Sequence, residues 1–240
     1  MKQPYLYLFV IIMLVSVVWA DGEVEITNMK GDVRIRVGLD EEWQNARIGM
    51  ILKNLDTIYC GENSVVILLN QDGLKFTLEA NSILDISDLR KIQDRELFLF
   101  LMTQKVDQIE TENTNTKIRV GNVSVVHGES KNDDNTHDLS DSDIDWYKYE
   151  VNGADALIEH TYYPNAIIKL HQIKNRYSEE KDKGFTSYRI GTSFEAMQNK
   201  GQAMDNYQSA LALYIKYNPD GSSEPGWIKE TRAAIERMRE

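Results

Sequence analysis

"SVVILLNQDGLKFTLEANSILDI", from Ser64 to Ile86, holds three apolar runs separated by two turn signals. Leu74, Phe76 and Leu78 alternate with Lys75 and Thr77, the mark of a strand with one buried face. Val65 to Leu69 is apolar at every position and is expected to lie deeper. Asp72-Gly73 supplies a hairpin turn, because glycine accepts positive φ without a Cβ clash. Asn81-Ser82 is a second, weaker turn. Upstream, Val24 to Met29 alternates. Val33 to Val37 does so too, with Val33, Ile35 and Val37 on one face and Arg34 and Arg36 on the other. Ile58 to Cys60 is a short run. This part of the chain predicts a β-rich module.

Downstream the period changes. Between Arg95 and Thr111, Leu97, Leu99 and Leu101 alternate, while Phe98, Met102, Val106 and Ile109 recur at helical spacing. A helix over about 99–111 is expected, with a short strand left open before it. Ile118 to His127 alternates again. The stretch ESKNDDNTHDLSDSDID, 129–145, is dense in acids and almost free of apolar residues. It cannot bury enough surface to offset its ordering entropy and reads as a flexible linker. Helices are expected over Tyr147 to Glu159, from Pro164 to Tyr177, Phe185 to Gln198 and Gly201 to Tyr217. In a last helix Trp227, Thr231, Ile235 and Met238 share a face. The expected class is α+β. A compact β-sandwich or β-roll over 21–128 precedes the linker, and helical hairpins over 146–240 follow it.

The first twenty residues, MKQPYLYLFVIIMLVSVVWA, read as a secretory signal peptide cleaved after Ala20. The apolar stretch from Tyr5 to Val18 is shorter than the roughly 20 residues a bilayer requires. The expected location is therefore periplasmic or secreted, with no stable membrane insertion after cleavage. The whole chain has 27 basic and 38 acidic residues, a formal charge of −11. Such a surface repels phosphate backbones and disfavours nucleic acid as a partner. Cys60 is the only cysteine, so an internal disulfide is excluded and a small buried role is expected.

The residues from Val24 to Ile86 resemble the FecR domain, an extracytoplasmic β-rich module. Gly31-Asp32-Val33 is similar to its opening strand. Trp43, Ala46, Gly49 and Leu52 stand at the spacing of its Trp-x-x-Ala-x-x-Gly-x-x-Leu stretch. Asp56-Thr57-Ile58, Gly61 to Leu69, Asp72-Gly73, Phe76, Leu78 and the "NSILDI" close follow in order, with Leu55 where that family usually has glycine. The family is best known for sensor regulators that carry a cytoplasmic segment and a membrane helix before the domain. The resemblance implies the module and argues against that signalling role. The later part resembles tetratricopeptide (TPR) repeats. Ile190-Gly191-x-x-Phe194, Ala203-x-x-x-Tyr207 and Ala210 are in register with the repeat, and a weaker copy uses Ala154, Leu157, Ala166, Leu170 and Ile173. The resemblance implies a protein-binding groove whose face carries Phe185, Tyr188, Thr192, Glu195 and Ala196. The Trp227 helix is expected to cap the last repeat.

Motifs of catalysis are not apparent. Asp141-x-Asp143-x-Asp145 opens like a calcium loop, but Trp146 and Asn152 occupy the places that need glycine and a bidentate acid. His127, His137, His160 and His171 form no metal-ligand spacing and are expected at the surface or at helix ends. No catalytic residue, cofactor or metal site is assigned. The expected function is a non-catalytic scaffold or adaptor of the cell envelope that binds other envelope proteins through its helices. One alternative is a module for cell-wall or surface glycan, with Trp43 as the candidate aromatic, although the matching family position suggests core packing. Another is an envelope signalling component related to FecR-type sensors.

Overall fold

A computed structural model describes residues 23–40, 42–113, 144–219 and 224–239. The class is α+β, with antiparallel sheets before the helices. The strands are β1 (Val24–Lys30), β2 (Val33–Arg36), β3 (Gln44–Asn45), β4 (Ile51–Leu52), β5 (Thr57–Cys60), β6 (Val65–Asn70), β7 (Lys75–Leu78) and β8 (Ser82–Asp85). They form two four-stranded sheets, ordered β4-β1-β6-β7 and β3-β2-β5-β8. A 3₁₀ turn (Ile86–Leu89) leads to α1 (Asp94–Asn113). Then come α2 (Trp146–Glu159), α3 (Tyr163–Arg176), the single turn α4 (Glu179–Asp182), α5 (Phe185–Ala196), α6 (Lys200–Tyr217) and α7 (Gly226–Arg239).

The Ser64 to Ile86 ribbon ties the sheets together. β6 and β7 form the Asp72-Gly73 hairpin, with Gly73 at φ 75°. Asn81 then adopts φ 56°, and β8 joins the other sheet beside β5. The weaker turn is therefore a crossover between sheets. Inward residues from both sheets, among them Ile26, Ile35, Ile58, Leu68, Leu78 and Leu84, form one buried cluster. Each such side chain contributes on the order of 2 kcal/mol by leaving water.

Several expectations change at this level. Val66 and Leu68 are fully buried, but Val65, Ile67 and Leu69 are only half-buried, so β6 hides one face rather than two. On its other side Val65 and Ile67 line a depression with Asn28, Met29 and Lys30. Val37 falls past the end of β2 and is exposed, because the chain turns at Gly38. The run from Leu97 to Leu101 forms no strand but lies within α1, which begins at Asp94; Leu97 is buried while Leu99 is exposed, a helical distribution. The two-residue strands β3 and β4 are too short to leave a period in the sequence. The alternating run at Ile118 to His127, the signal peptide and residues 129–143 of the acidic stretch lie outside the described residues.

The helices stack in chain order. α2 packs on α3, α3 on α5, α5 on α6 and α6 on α7. Ala154, Leu157, Ala166, Leu170 and Ile173 are fully buried, as are Ile190, Ala203 and Ala210; Phe194 and Tyr207 are nearly so. A Cβ on Gly191 would stand 2.8 Å from the Tyr207 ring, so the glycine lets α5 and α6 approach closely. Helix α2 also lies directly on β8: a Cβ on Gly153 would stand 2.1 Å from the Ile83 carbonyl oxygen. Ala156, Leu157 and Ala166 belong to the sheets' own buried cluster. Sheets and helices are thus joined by packed backbone and side chains.

Candidate protein-binding face

Phe185, Tyr188, Thr192, Glu195 and Ala196 recur at helical spacing on α5. The structure engages four of the five in contacts within the chain. The Phe185 ring meets Trp227 of α7 edge-on at 5.6 Å and Tyr188 at 6.0 Å. Tyr188 is buried against Trp227 at 5.5 Å, and its hydroxyl donates to Glu230. Thr192 donates to the Tyr188 carbonyl at 3.1 Å. The Glu195 carboxylate accepts from Tyr207 at 2.6 Å and from Arg237 at 2.9 Å. Although desolvation acts to raise it, these two donors hold that carboxyl below its ordinary range. Ala196 stays exposed. Helix α7 packs on α6 and fastens the α5 face through Trp227, Glu230 and Arg237. On the opposite flank, Arg189 pairs with Asp155 of α2. The result is a polar-tipped surface whose side chains are already fixed.

Trp43 does not join the inter-sheet core. It is half-buried on the outer side of the β3-β2-β5-β8 sheet, 5.7 Å from Tyr59, with the Arg36 guanidinium over its ring at 5.2 Å. Tyr59 stacks on Tyr149 of α2 with centroids 5.2 Å apart. Tyr149 donates to the Asn81 side chain at 3.0 Å, and Asn152 donates to the Asn81 carbonyl at 2.8 Å. This aromatic seam belongs to the sheet–helix joint. Sequence reasoning singled out Trp43 alone; the pairing of Tyr59 with Tyr149, 90 residues apart, leaves no local signal.

A second joint went unread in the sequence. Lys169 of α3 has a side chain 7 % exposed, with Nζ 2.7 Å from Asp85 Oδ2 and 2.9 Å from Asp88 Oδ2. Asn165, one turn earlier, donates to the carbonyls of Asp88 and Arg90, both at 2.8 Å. The available signal was a lysine and an asparagine on the same stripe as Ala166, Leu170 and Ile173. Helix periodicity alone assigns such a stripe to the core.

Two of the four histidines lie among the described residues. His160 ends α2, where its Nε2 accepts the Thr77 backbone N–H at 2.9 Å and so seals the β7 edge. His171 lies within α3 rather than at a helix end, 5.8 Å from the Phe100 ring. Burial, followed by the Lys174 ammonium, pushes its imidazole down to about 4. The folded state refuses a proton that the unfolded chain takes up near its ordinary 6.5. Stability is therefore complete above pH 6.5 and falls as the pH drops toward 4. The expected loss is about 3 kcal/mol. Urea unfolding across that window should show a slope that His171→Gln flattens; an equal slope in both chains would remove His171 as its cause.

The Cys60 thiol is buried and pushed up to about 12 by desolvation, then by Asp32 and Glu79. Among the described residues no cluster of metal-ligating side chains is present, and no helix is long and apolar enough to cross a membrane. Of the Asp141-Asp143-Asp145 spacing only Asp145 is described, and it pairs with Lys181 at 2.7 Å. Searches against family models, curated proteins and solved structures returned no match.

Proposed function

We propose that this chain is a non-catalytic scaffold or adaptor of the cell envelope that holds a protein segment against its helical stack. The observation that carries the reading is the pre-fixed α5 surface beside α7. Tyr188 and Glu195 are held by Glu230 and Arg237 before any partner arrives, so binding there immobilises few further side chains. The small-residue register of Gly191, Ala203 and Ala210 is in keeping with TPR-like hairpins, which present such faces to peptides. The FecR-like pattern and the leader support export, and the sheets serve as a rigid platform. Two features weigh against glycan as the ligand at Trp43. Arg36 already lies over that ring, and Tyr59 flanks it.

The test avoids the buried members of the face. Ala196→Arg together with Thr192→Lys alters its solvent side and should leave the melting temperature within a few degrees. Recovery of a co-purifying envelope protein should fall roughly tenfold or more, as for loss of a central contact. Undiminished recovery by a folded double variant would exclude this face as the binding surface.

A further inference from the structure

We propose that Lys169 and Asp88 are the two ends of a spontaneous intramolecular amide bond, with Asp85 as the proton acceptor, which locks α3 to the 3₁₀ turn after β8.

The geometry is that of three groups with divided roles. Lys169 Nζ is buried and lies 2.9 Å from Asp88 Oδ2. That contact lacks the alignment of a hydrogen bond and leaves a buried carboxyl oxygen without a directed donor. The Asp88 side chain is 16 % exposed, whereas Asp85 keeps 44 % of its side chain in solvent. The reactants are held from both sides. Asn165 clamps the carbonyls of Asp88 and Arg90 one helical turn from Lys169, and Thr57 donates to Asp85 Oδ1 at 2.8 Å. Groups fixed in this way react with effective molarities of roughly 10⁵ M and above.

Environment assigns the protons. Desolvation, opposed by Lys169 and reinforced by Asp85, raises the Asp88 carboxyl above its ordinary range, which favours the protonated acid. Desolvation also acts to raise Asp85, but the Lys169 ammonium and the hydrogen bonds from Lys169 and Thr57 hold it below its ordinary value. Desolvation acts to lower Lys169, but its contacts with Asp88 and Asp85 outweigh it and raise the group, so it begins as the ammonium. The reactive state is the minor one in which the Asp85 carboxylate has taken one proton from that ammonium, an uphill transfer that makes the condensation slow. The freed amine adds to Cγ of the protonated Asp88 carboxyl. The tetrahedral carbon then expels its hydroxyl as water, using the second amine proton relayed through Asp85. One C–N bond forms and one C–O bond breaks. One water and one proton leave past the solvent-facing Asp85, and no atom changes oxidation state. Condensation also removes a buried cation and a buried acid, each costly to keep out of water.

The test is mass spectrometry of the purified, denatured full chain, followed by peptide mapping. The expected result is a mass lighter by one water and a branched peptide joining Lys169 to Asp88. Lys169→Arg and Asp88→Ala should each abolish the branch, and Asp85→Ala should slow its formation at least tenfold. Full mass with linear Lys169 and Asp88 peptides in the wild-type chain would overturn the proposal, leaving an ion pair alone. So would a water loss that persists in Lys169→Arg, the signature of a cyclised aspartate. A branch that fragmentation places on Asp85 would overturn the assigned roles.

Discussion

Gly153→Ala is expected to destabilise the chain by about 3 kcal/mol, although it improves a helix. In an open helix the exchange would gain about 1 kcal/mol of propensity. Here the new methyl carbon would stand 2.1 Å from the Ile83 carbonyl oxygen and 3.1 Å from its carbon. Both belong to backbone inside β8, which is paired with β5 and cannot step aside alone. Helix α2 must lift, and the stacked Tyr59 and Tyr149 rings and the Asn152 bond to Asn81 separate with it. Gly201→Ala supplies the control, because beyond its chain neighbours and its own helix backbone no atom of the described residues lies within 4 Å of the added carbon. Urea unfolding should show a large loss for Gly153→Ala and none for Gly201→Ala. Equal stability of the two variants would mean that α2 does not rest on β8 as described.

Measured against the chain in which Lys169 and Asp88 have not condensed, Lys169→Met is expected to cost about 3 kcal/mol, the lower end of the range for removing one partner of a buried ion pair. Two features moderate it. Asp85 can turn its charge to solvent, and Asp88 is already disposed to hold a proton. The cost remains large because α3 would lose its attachment to both acids at once. Asp88→Ala should cost less, since it removes a carboxyl that burial disfavours and keeps the Lys169–Asp85 pair at 2.7 Å. Both variants lack the amide, so their difference in unfolding free energy isolates the stranded charge. If Asp88→Ala proved the more damaging, the ammonium would not be the centre of this joint.

The elements legible in the sequence are those with a repeating local period. Leu74, Phe76 and Leu78 announced β7, and the Pro164 helix and the Ile190 to Ala210 hairpin were placed to within a few residues. The five α5 residues were correctly put on one helix, but nothing local showed that α7 would lie against them. Val37 and the outer residues of β6 were misread because apolar side chains in a strand, alternating or continuous, do not say what will cover them.

By itself the sequence determined the α+β order, the strand and helix periods, and the small residues that allow close helix contact, because each of these depends on residues only a few positions apart. The tertiary structure decided which sheet receives β8, why Gly153 has no side chain, and why Lys169 can be buried. The Asn81–Asn152 and Asp85–Lys169 contacts span 71 and 84 residues, so the charge or the space that makes sense of each partner exists only after the chain has folded back on itself.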